Sequence, residues 1–323
     1  MWLAGAMELR AMTAQDVPAV VDLINRSYRH EGVPMAKQAQ EFVDELAADS
    51  VSYDDDVRVA VVDGRIAGWT HTLLLPSDVR EVRCYVFGEV DPAHLGQGIG
   101  SALLEWAERR GRAQLLGLGT TLPRYLRADA YDFQVERDAL IREHGFTPVR
   151  WFEEMLRPLT DLPPVLPVPG IQLEPWPEAT GDGELLAART AAFADHWGST
   201  PISEQAWAFH VRGFGSRPDL SLVARDLESG GVAGFCLNHR YEEDDEVVGR
   251  RDGWIETLGT LRQYRGRGIA TALLARSLEL FAGAGLSHAM IAVDGDSPTG
   301  AGRLYRSVGF ERSHGSVTYQ QVV

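Results

Sequence analysis

Two cysteines in 323 residues, Cys84 and Cys236, are too few for a disulfide framework and suit a reducing cytoplasm. No apolar run approaches the length of a membrane span. The leading MWLAGA has no basic flank and is too short for a secretory signal, and Met7 is an alternative start. The histidines are scattered without metal-ligand spacing, so no metal is expected, and neither cysteine has a histidine partner that would mark it as a nucleophile. Positive charge is also short. Against 46 Asp and Glu stand 31 Lys and Arg, a net −15 that disfavours non-specific nucleic-acid binding and is compatible with a cationic or amine substrate. With 45% hydrophobic and 24% charged residues, the chain is long enough for two domains with sizeable cores.

The most informative stretch is WIETLGTLRQYRGRGIAT, residues 254–271. An apolar strand-like run breaks at Arg262, crosses a glycine-rich turn and enters the helix TALLARSLELFAGAG. Such a turn aims consecutive backbone N–H groups at one point, and Gly266 and Gly268 carry no Cβ to obstruct a ligand pressed on the main chain. The following helix adds its unpaired first-turn amides and the positive end of its dipole. A phosphate or pyrophosphate is the natural guest, with Arg265 and Arg267 adding charge. Two familiar fingerprints fail here: the turn has no Lys for a P-loop, and no third glycine in register for a dinucleotide motif.

The chain carries the same plan twice. MELRAMTAQDVPAVVDLINRSYR from Met7 predicts a short strand, Thr13 as N-cap and an amphipathic helix, and IQLEPWPEATGDGELLAARTAAFADHW repeats it. The hairpin predicted around Asp63-Gly64 has its counterpart in Leu222 to Phe235. Gly98 matches Gly268, and His144-Gly145-Phe146 matches Val308-Gly309-Phe310, all at an offset of roughly 165 residues, as expected for a duplicated domain rather than a solenoid. A proline-rich stretch over 158–170 reads as a stiff, extended linker, placing a boundary near Thr160 between domains 1–160 and 161–323. Each half then follows β-α-α-β-β-β-α-β-α-β: an α/β (α+β) fold with a central mixed, mostly antiparallel sheet flanked by helices.

Arg265, Gly268 and Ala270 fit Arg/Gln-x-x-Gly-x-Gly/Ala directly after a strand, and LYRSVGF over 304–310 follows in order. The chain thereby resembles the GNAT superfamily of N-acetyltransferases, and its tandem arrangement looks like the two-domain actinobacterial acetyltransferases related to mycothiol synthase. That resemblance implies acetyl-CoA as acyl donor. It implies that Leu258, Gly259, Thr260 and Leu261 pair with pantetheine like an added strand, and that amides of Arg265, Gly266, Arg267, Gly268, Ile269, Ala270 and Thr271 hold the pyrophosphate. Ser297 stands where the family usually has Asn. The first half keeps a second candidate CoA site in Val90, Gly96, Gln97, Gly98, Ile99, Gly100 and Ser101. It departs from the pattern at Leu95, in place of Arg or Gln, and at Ile141, in place of Tyr305, so it is expected to be catalytically degenerate.

Acyl transfer to an amine requires a neutral nucleophile, stabilisation of the oxyanion and a proton for the leaving thiolate. The resemblance assigns the proton to Tyr305. Glu256, on the strand before the turn, is the candidate base, and an N–H near Leu258 or Thr260 the oxyanion donor. In the mycothiol synthase group the corresponding carboxylate falls at Trp254 by position, so the acceptor stays open beyond a small-molecule amine. Asp195, His196 and Trp197, between the first two helices of the second half, are the candidate acceptor wall. The acidic run over 241–246 reads as a solvated hairpin tip. The expected partners are that amine, with no nucleic acid and no membrane, in a monomer or homodimer. The alternatives are a non-catalytic acyl-CoA-binding or sensing module, a protein lysine or N-terminal acetyltransferase, and an unrelated nucleotide-binding protein.

Overall fold

The structure, a computed structural model, describes residues 7–48, 51–177, 182–296 and 300–323. The leader before Met7 and Ser297 lie outside them. The first copy runs β1 (Glu8–Ala11), α1 (Val17–Glu31), α2 (Ala39–Ala48), α3 (Tyr53–Asp56), β2 (Val57–Val62), β3 (Arg65–Leu75), β4 (Val82–Val90), α4 (Ile99–Leu116), β5 (Arg124–Tyr131), α5 (Val135–Glu143) and β6 (Thr147–Pro158). The second runs β7 (Ile171–Pro175), α6 (Asp182–Ala192), α7 (Glu204–Arg212), β8 (Leu222–Asp226), β9 (Val232–His239), α8 (Asp245–Val248), β10 (Asp252–Thr260), α9 (Ile269–Gly283), β11 (His288–Asp294), α10 (Ala301–Ser307) and β12 (Glu311–Val322).

Local chemistry explains the early elements. Asp63 and Gly64 both take positive φ, 49° and 75°, as a two-residue turn needs to match the twist of β2 and β3. Thr13 caps a short 3-10 turn, Ala14–Asp16, ahead of α1, through bonds of 2.8 and 2.9 Å from its N–H and hydroxyl to the Asp16 carboxylate. The guanidinium of Arg10, hydrogen-bonded to that carboxylate, holds its pKa down at about 2. The acidic run over 241–246 does lie in the connection of the antiparallel β9–β10 pair, but it is only partly solvated. Glu242–Asp244 form a 3-10 turn leading into α8; Asp244 is only 8% exposed, and Asp245 is ion-paired to Arg240.

Each sheet is mixed and mostly antiparallel. In the first, β1, β2, β3 and β4 pair antiparallel in turn, β4 pairs β5 parallel, and β5 pairs β12 antiparallel. In the second, β7, β8, β9 and β10 pair antiparallel, β10 pairs β11 parallel, and β11 pairs β6 antiparallel. The closing strand of each copy is therefore exchanged. By packing, the first unit ends at Arg150 and takes in Ser316–Val323, while the second is Trp151–Gly315. The boundary read near Thr160 marks where the repeat restarts in sequence, not where packing divides. The proline-rich stretch is also not a free tether, because Leu159, Leu162 and Val168 pack against the core of the second unit.

The exchange is cemented by burial. Tyr319 of β12 is 2% exposed, in one cluster with Leu126 and Ala128 of β5 and Ala107 of α4. In the second unit Met155 of β6 is fully buried against Ile291 and Leu278. Among the described residues no helix is long and apolar enough to cross a membrane. Truncating Tyr319 to Ala should cost about 3–5 kcal/mol, the usual range for a large aromatic in a core. Hydrogen exchange should locate the damage: protection should fall at the β5 amides and persist at β11, and the reverse pattern would contradict this strand assignment.

Candidate acyl-transfer site

The site in the second unit begins with an irregularity in β10. Ile255 pairs Asn238 of β9, and Thr257 pairs the next residue, Leu237, so Glu256 has no partner. Such a bulge re-aims the extra residue's side chain. On the other edge, parallel pairing of β10 with β11 runs from Asp252 to Ile255 and stops. Beyond that point the β10 edge is unpaired and the strands part. Leu261 N–H donates to Ala233 C=O at 3.0 Å, so by alternation Gly259 and Leu261 turn their main chain to β9, while Leu258 and Thr260 present theirs to the opening. Of the four residues expected to line pantetheine, only these two have backbone groups on the free edge. Gly259 lacks a side chain for another reason: a Cβ there would collide with the Phe235 ring.

The glycine turn follows at once. Gly266 and Gly268 have φ of 77° and 86°, with nothing within 4 Å of where a Cβ would stand, so the turn is open on its outer side. Gly268 caps α9, whose first backbone bond joins Ala272 N–H to Gly268 C=O at 3.0 Å. The amides of Ile269, Ala270 and Thr271 are left without main-chain partners among the described residues, a set that fits a diphosphate. The arginines play another part than expected. Arg265 turns back to donate to Thr260 C=O (3.2 Å) and Ala192 C=O (2.8 Å), and Arg267 donates to Pro169 C=O (2.9 Å) over the Tyr264 ring. Both side chains brace the turn. Thr260 Oγ1 is buried with no partner among the described residues, an orphan polar atom at the mouth of the opening.

Glu256 is water-accessible yet enclosed by enough protein that desolvation raises its carboxyl pKa, and the like charge of Glu154 raises it further. The registers explain the second effect: Ala292 lies across from Glu154, and Glu256 follows the Ile255–Ile291 pair, so both carboxylates stand on one face, two strand spacings apart. His314 Nε2 approaches Glu154 at 2.9 Å. Tyr305 lies in the core cluster with Ile255, Ile291 and Val293, 7% exposed and 6.3 Å from the Phe310 ring. Burial raises its phenol pKa, so it carries its proton at neutral pH. Glu256 points away from that cluster, so the two groups lie on opposite faces of the sheet.

The expected acceptor wall is only partly an open one. Asp195 stands 3.6 Å from Arg265, so its charge is engaged by the brace of the turn. His196 Nδ1 lies 3.0 Å from Trp197 C=O and its Nε2 3.9 Å from Asp294, while the Trp197 ring is 6.3 Å from that of Phe152. Sequence reasoning missed a nearer group. His210 of α7 places Nε2 3.0 Å from Thr257 Oγ1, beside the bulge, and His239 Nε2 donates to the His210 C=O at 2.9 Å. Burial pushes both imidazoles down to about 4, so both are neutral at physiological pH. The only hint was the aromatic run of α7, which carries no sign of a partner 47 residues on. Cys84 and Cys236 are buried thiols pushed up to about 12 by burial, unfit as nucleophiles. Among the described residues, no three His, Cys, Asp or Glu gather as a metal site.

The first unit repeats the turn, with Gly96 and Gly98 at φ 72° and 79°, over a cavity of ≈ 270 Å³. Leu95 cannot make the bonds Arg265 makes, and Ile141, 4% exposed, fills the position of Tyr305. The model of the acetyltransferase (GNAT) family matches twice, over residues 17–139 and 184–310. The chain is 32% identical over 273 residues to a mycothiol acetyltransferase of Salinispora arenicola, covering 81% of this chain and 80% of that one. It is 27% identical to a mycothiol acetyltransferase of Nocardiopsis dassonvillei, covering 94% and 96%. A GCN5-related N-acetyltransferase from Sphaerobacter thermophilus superposes with TM-score 0.75 at 25% identity, over 98% of this chain and 95% of that one. A tandem GNAT protein from the clavulanic acid biosynthesis pathway shares the fold, with TM-score 0.71 at 18% identity and 98% of each chain covered.

The raised pKa of Glu256 has a signed consequence for stability. A carboxyl with a higher pKa folded than unfolded binds its proton better in the native state, so stability declines as pH rises from the unfolded value through the folded one. Glu256→Gln should therefore melt higher than the parent at neutral pH, with the gap closing below the ordinary Glu pKa. A melting curve lowered at neutral pH would refute the desolvated carboxylate.

Proposed function

The chain belongs to the acetyltransferase (GNAT) family and is an acyltransferase, and from that premise we propose that its second unit transfers acetyl from acetyl-CoA to the amine of a small molecule by direct attack on the thioester. One observation carries this reading: the unpaired β10 edge at Leu258 lies between a carboxylate on a bulge and an open glycine turn. The amides of Gly266 to Thr271 hold the diphosphate, and pantetheine lies along Leu258 and Thr260, where Thr260 Oγ1 awaits a partner. Glu256, with its raised pKa, takes a proton from the acceptor ammonium through water. The free amine attacks the carbonyl carbon and Leu258 N–H stabilises the oxyanion; as the C–S bond breaks, Tyr305 protonates the thiolate and regains a proton from the nitrogen that becomes the amide. Ser297 is retained as a contact to the donor.

A cationic acceptor suits the face on which Glu256 and Glu154 stand together. Relatives at 27–32% identity are mycothiol acetyltransferases, but the carboxylate that the resemblance to that group implies would fall at Trp254, so the proposed acceptor is a small amine recognised by Glu256 and Glu154, with His196 and Trp197 beside them. In the first unit, Val90 and the turn from Gly96 to Ser101 are proposed as a second CoA-binding place without turnover, since Ile141 has no proton to give. The two buried thiols favour a cytoplasmic setting.

Tyr305→Phe is expected to lower kcat by about 10²–10⁴, the usual contribution of a positioned acid, with CoA affinity nearly unchanged; acetylation at the parental rate would remove Tyr305 from the mechanism. For the base, kcat/KM should fall as pH drops through the raised pKa of Glu256. Glu256→Gln should abolish that acid limb, and an unchanged limb would assign the base elsewhere.

A further inference from the structure

Among the differences between the cavity of the first unit and the corresponding place in the second is Arg137, to which neither the repeat nor the resemblance drew attention. Arg137, in the first turn of α5, stands four residues before Ile141, where α10 has Ala301 four residues before Tyr305. Its guanidinium lies across the gap between β4 and β5. Nη1 donates to Gly88 C=O at 3.1 Å and to Glu89 Oε1 at 3.0 Å, and Nε donates to Asp129 C=O at 3.1 Å. Ser27 Oγ donates to the other Glu89 oxygen at 2.9 Å.

The position of Gly88 gives these bonds their meaning. Parallel pairing of β4 with β5 covers Val82 to Tyr85 and then stops, as it does between β10 and β11. Asp91 N–H donates to Ala67 C=O of the strand before, so alternate residues, Gly88 among them, turn their main chain to the gap. Counted from the turn glycines, Gly98 and Gly268, Gly88 corresponds to Leu258. The carbonyl on the free edge at the thioester's place is thus already bonded, and an arginine side chain, its charge matched by Glu89, fills the space an acyl group would enter.

The rest of the cavity remains built for a ligand. It runs from the open turn at Gly96 and Gly98 past Val86 and Ala128 to Ile141. Trp69, 6% exposed, lines it as well. We propose that the first unit is a site for coenzyme A in its free thiol form, from which acyl thioesters are excluded by the Arg137 bridge. This rests on the reading that the glycine turns take the diphosphate of CoA. The duplicated half then senses the product of acyl transfer rather than its donor.

Calorimetric titration of the full chain, without acceptor amine, tests this. CoA should bind at two per chain and acetyl-CoA at one, and Gly98→Val should reduce CoA to one. Arg137→Ala should raise acetyl-CoA to two; because it strands Glu89, the pair Arg137→Met with Glu89→Gln is measured beside it and should do the same. Two acetyl-CoA per parental chain would overturn the exclusion while leaving the second CoA place intact. One CoA per chain would overturn the site in the first unit and leave the transferase reading standing. No heat with either ligand would overturn both.

Discussion

A single deficit of pairing underlies the site: the parallel contact between β10 and β11 lasts four residues, and the backbone groups beyond it have no neighbour in the sheet. Buried main-chain N–H and C=O groups left unpaired are costly, so a sheet that parts in its middle needs something else to satisfy them. An unpaired edge of this kind suits an extended ligand that pairs as an added strand, and a helix start suits an anion. The bulge at Glu256 sits where the parting begins, which is why its carboxylate and the unpaired edge are neighbours. Two arginines brace the turn that joins this strand to the next helix.

What was legible in the sequence was what depends on short-range chemistry. The glycine turns, the Asp63-Gly64 hairpin and the alternation of helix and strand follow from φ preferences and periodicity within a few residues, and all appear where expected. The directions of Arg265 and Asp195 were not legible, because they are set by carbonyls and charges far along the chain. Nor was the contact of His210 with Thr257, which needs α7 to lie over β10. The exchange of β6 and β12 was hidden for a deeper reason. Both are twelve-residue strands at the ends of matching repeats, so sequence pattern alone does not say which sheet each completes.

Duplication also separates what the fold requires from what chemistry requires. Both copies keep the parted strands and the open turn, which are properties of the backbone. They differ at side chains: Tyr305 against Ile141, Arg265 against Leu95, Ala301 against Arg137. The first copy closes with a buried ion pair the point where the second leaves room, and retaining such a pair costs more desolvation than an apolar filling would.

The exchanged strands bear on how the chain comes to be folded during synthesis. When the first 158 residues have left the ribosome, the first sheet still lacks β12, whose residues are made last, and β5 presents an open edge meanwhile. Translation of the whole second copy must elapse before that edge is covered, an interval in which a nascent chain with an unpaired strand is exposed to wrong partners. Neither half can therefore mature as an autonomous module, and the gene behind such a product would tolerate fission into two separately expressed pieces poorly.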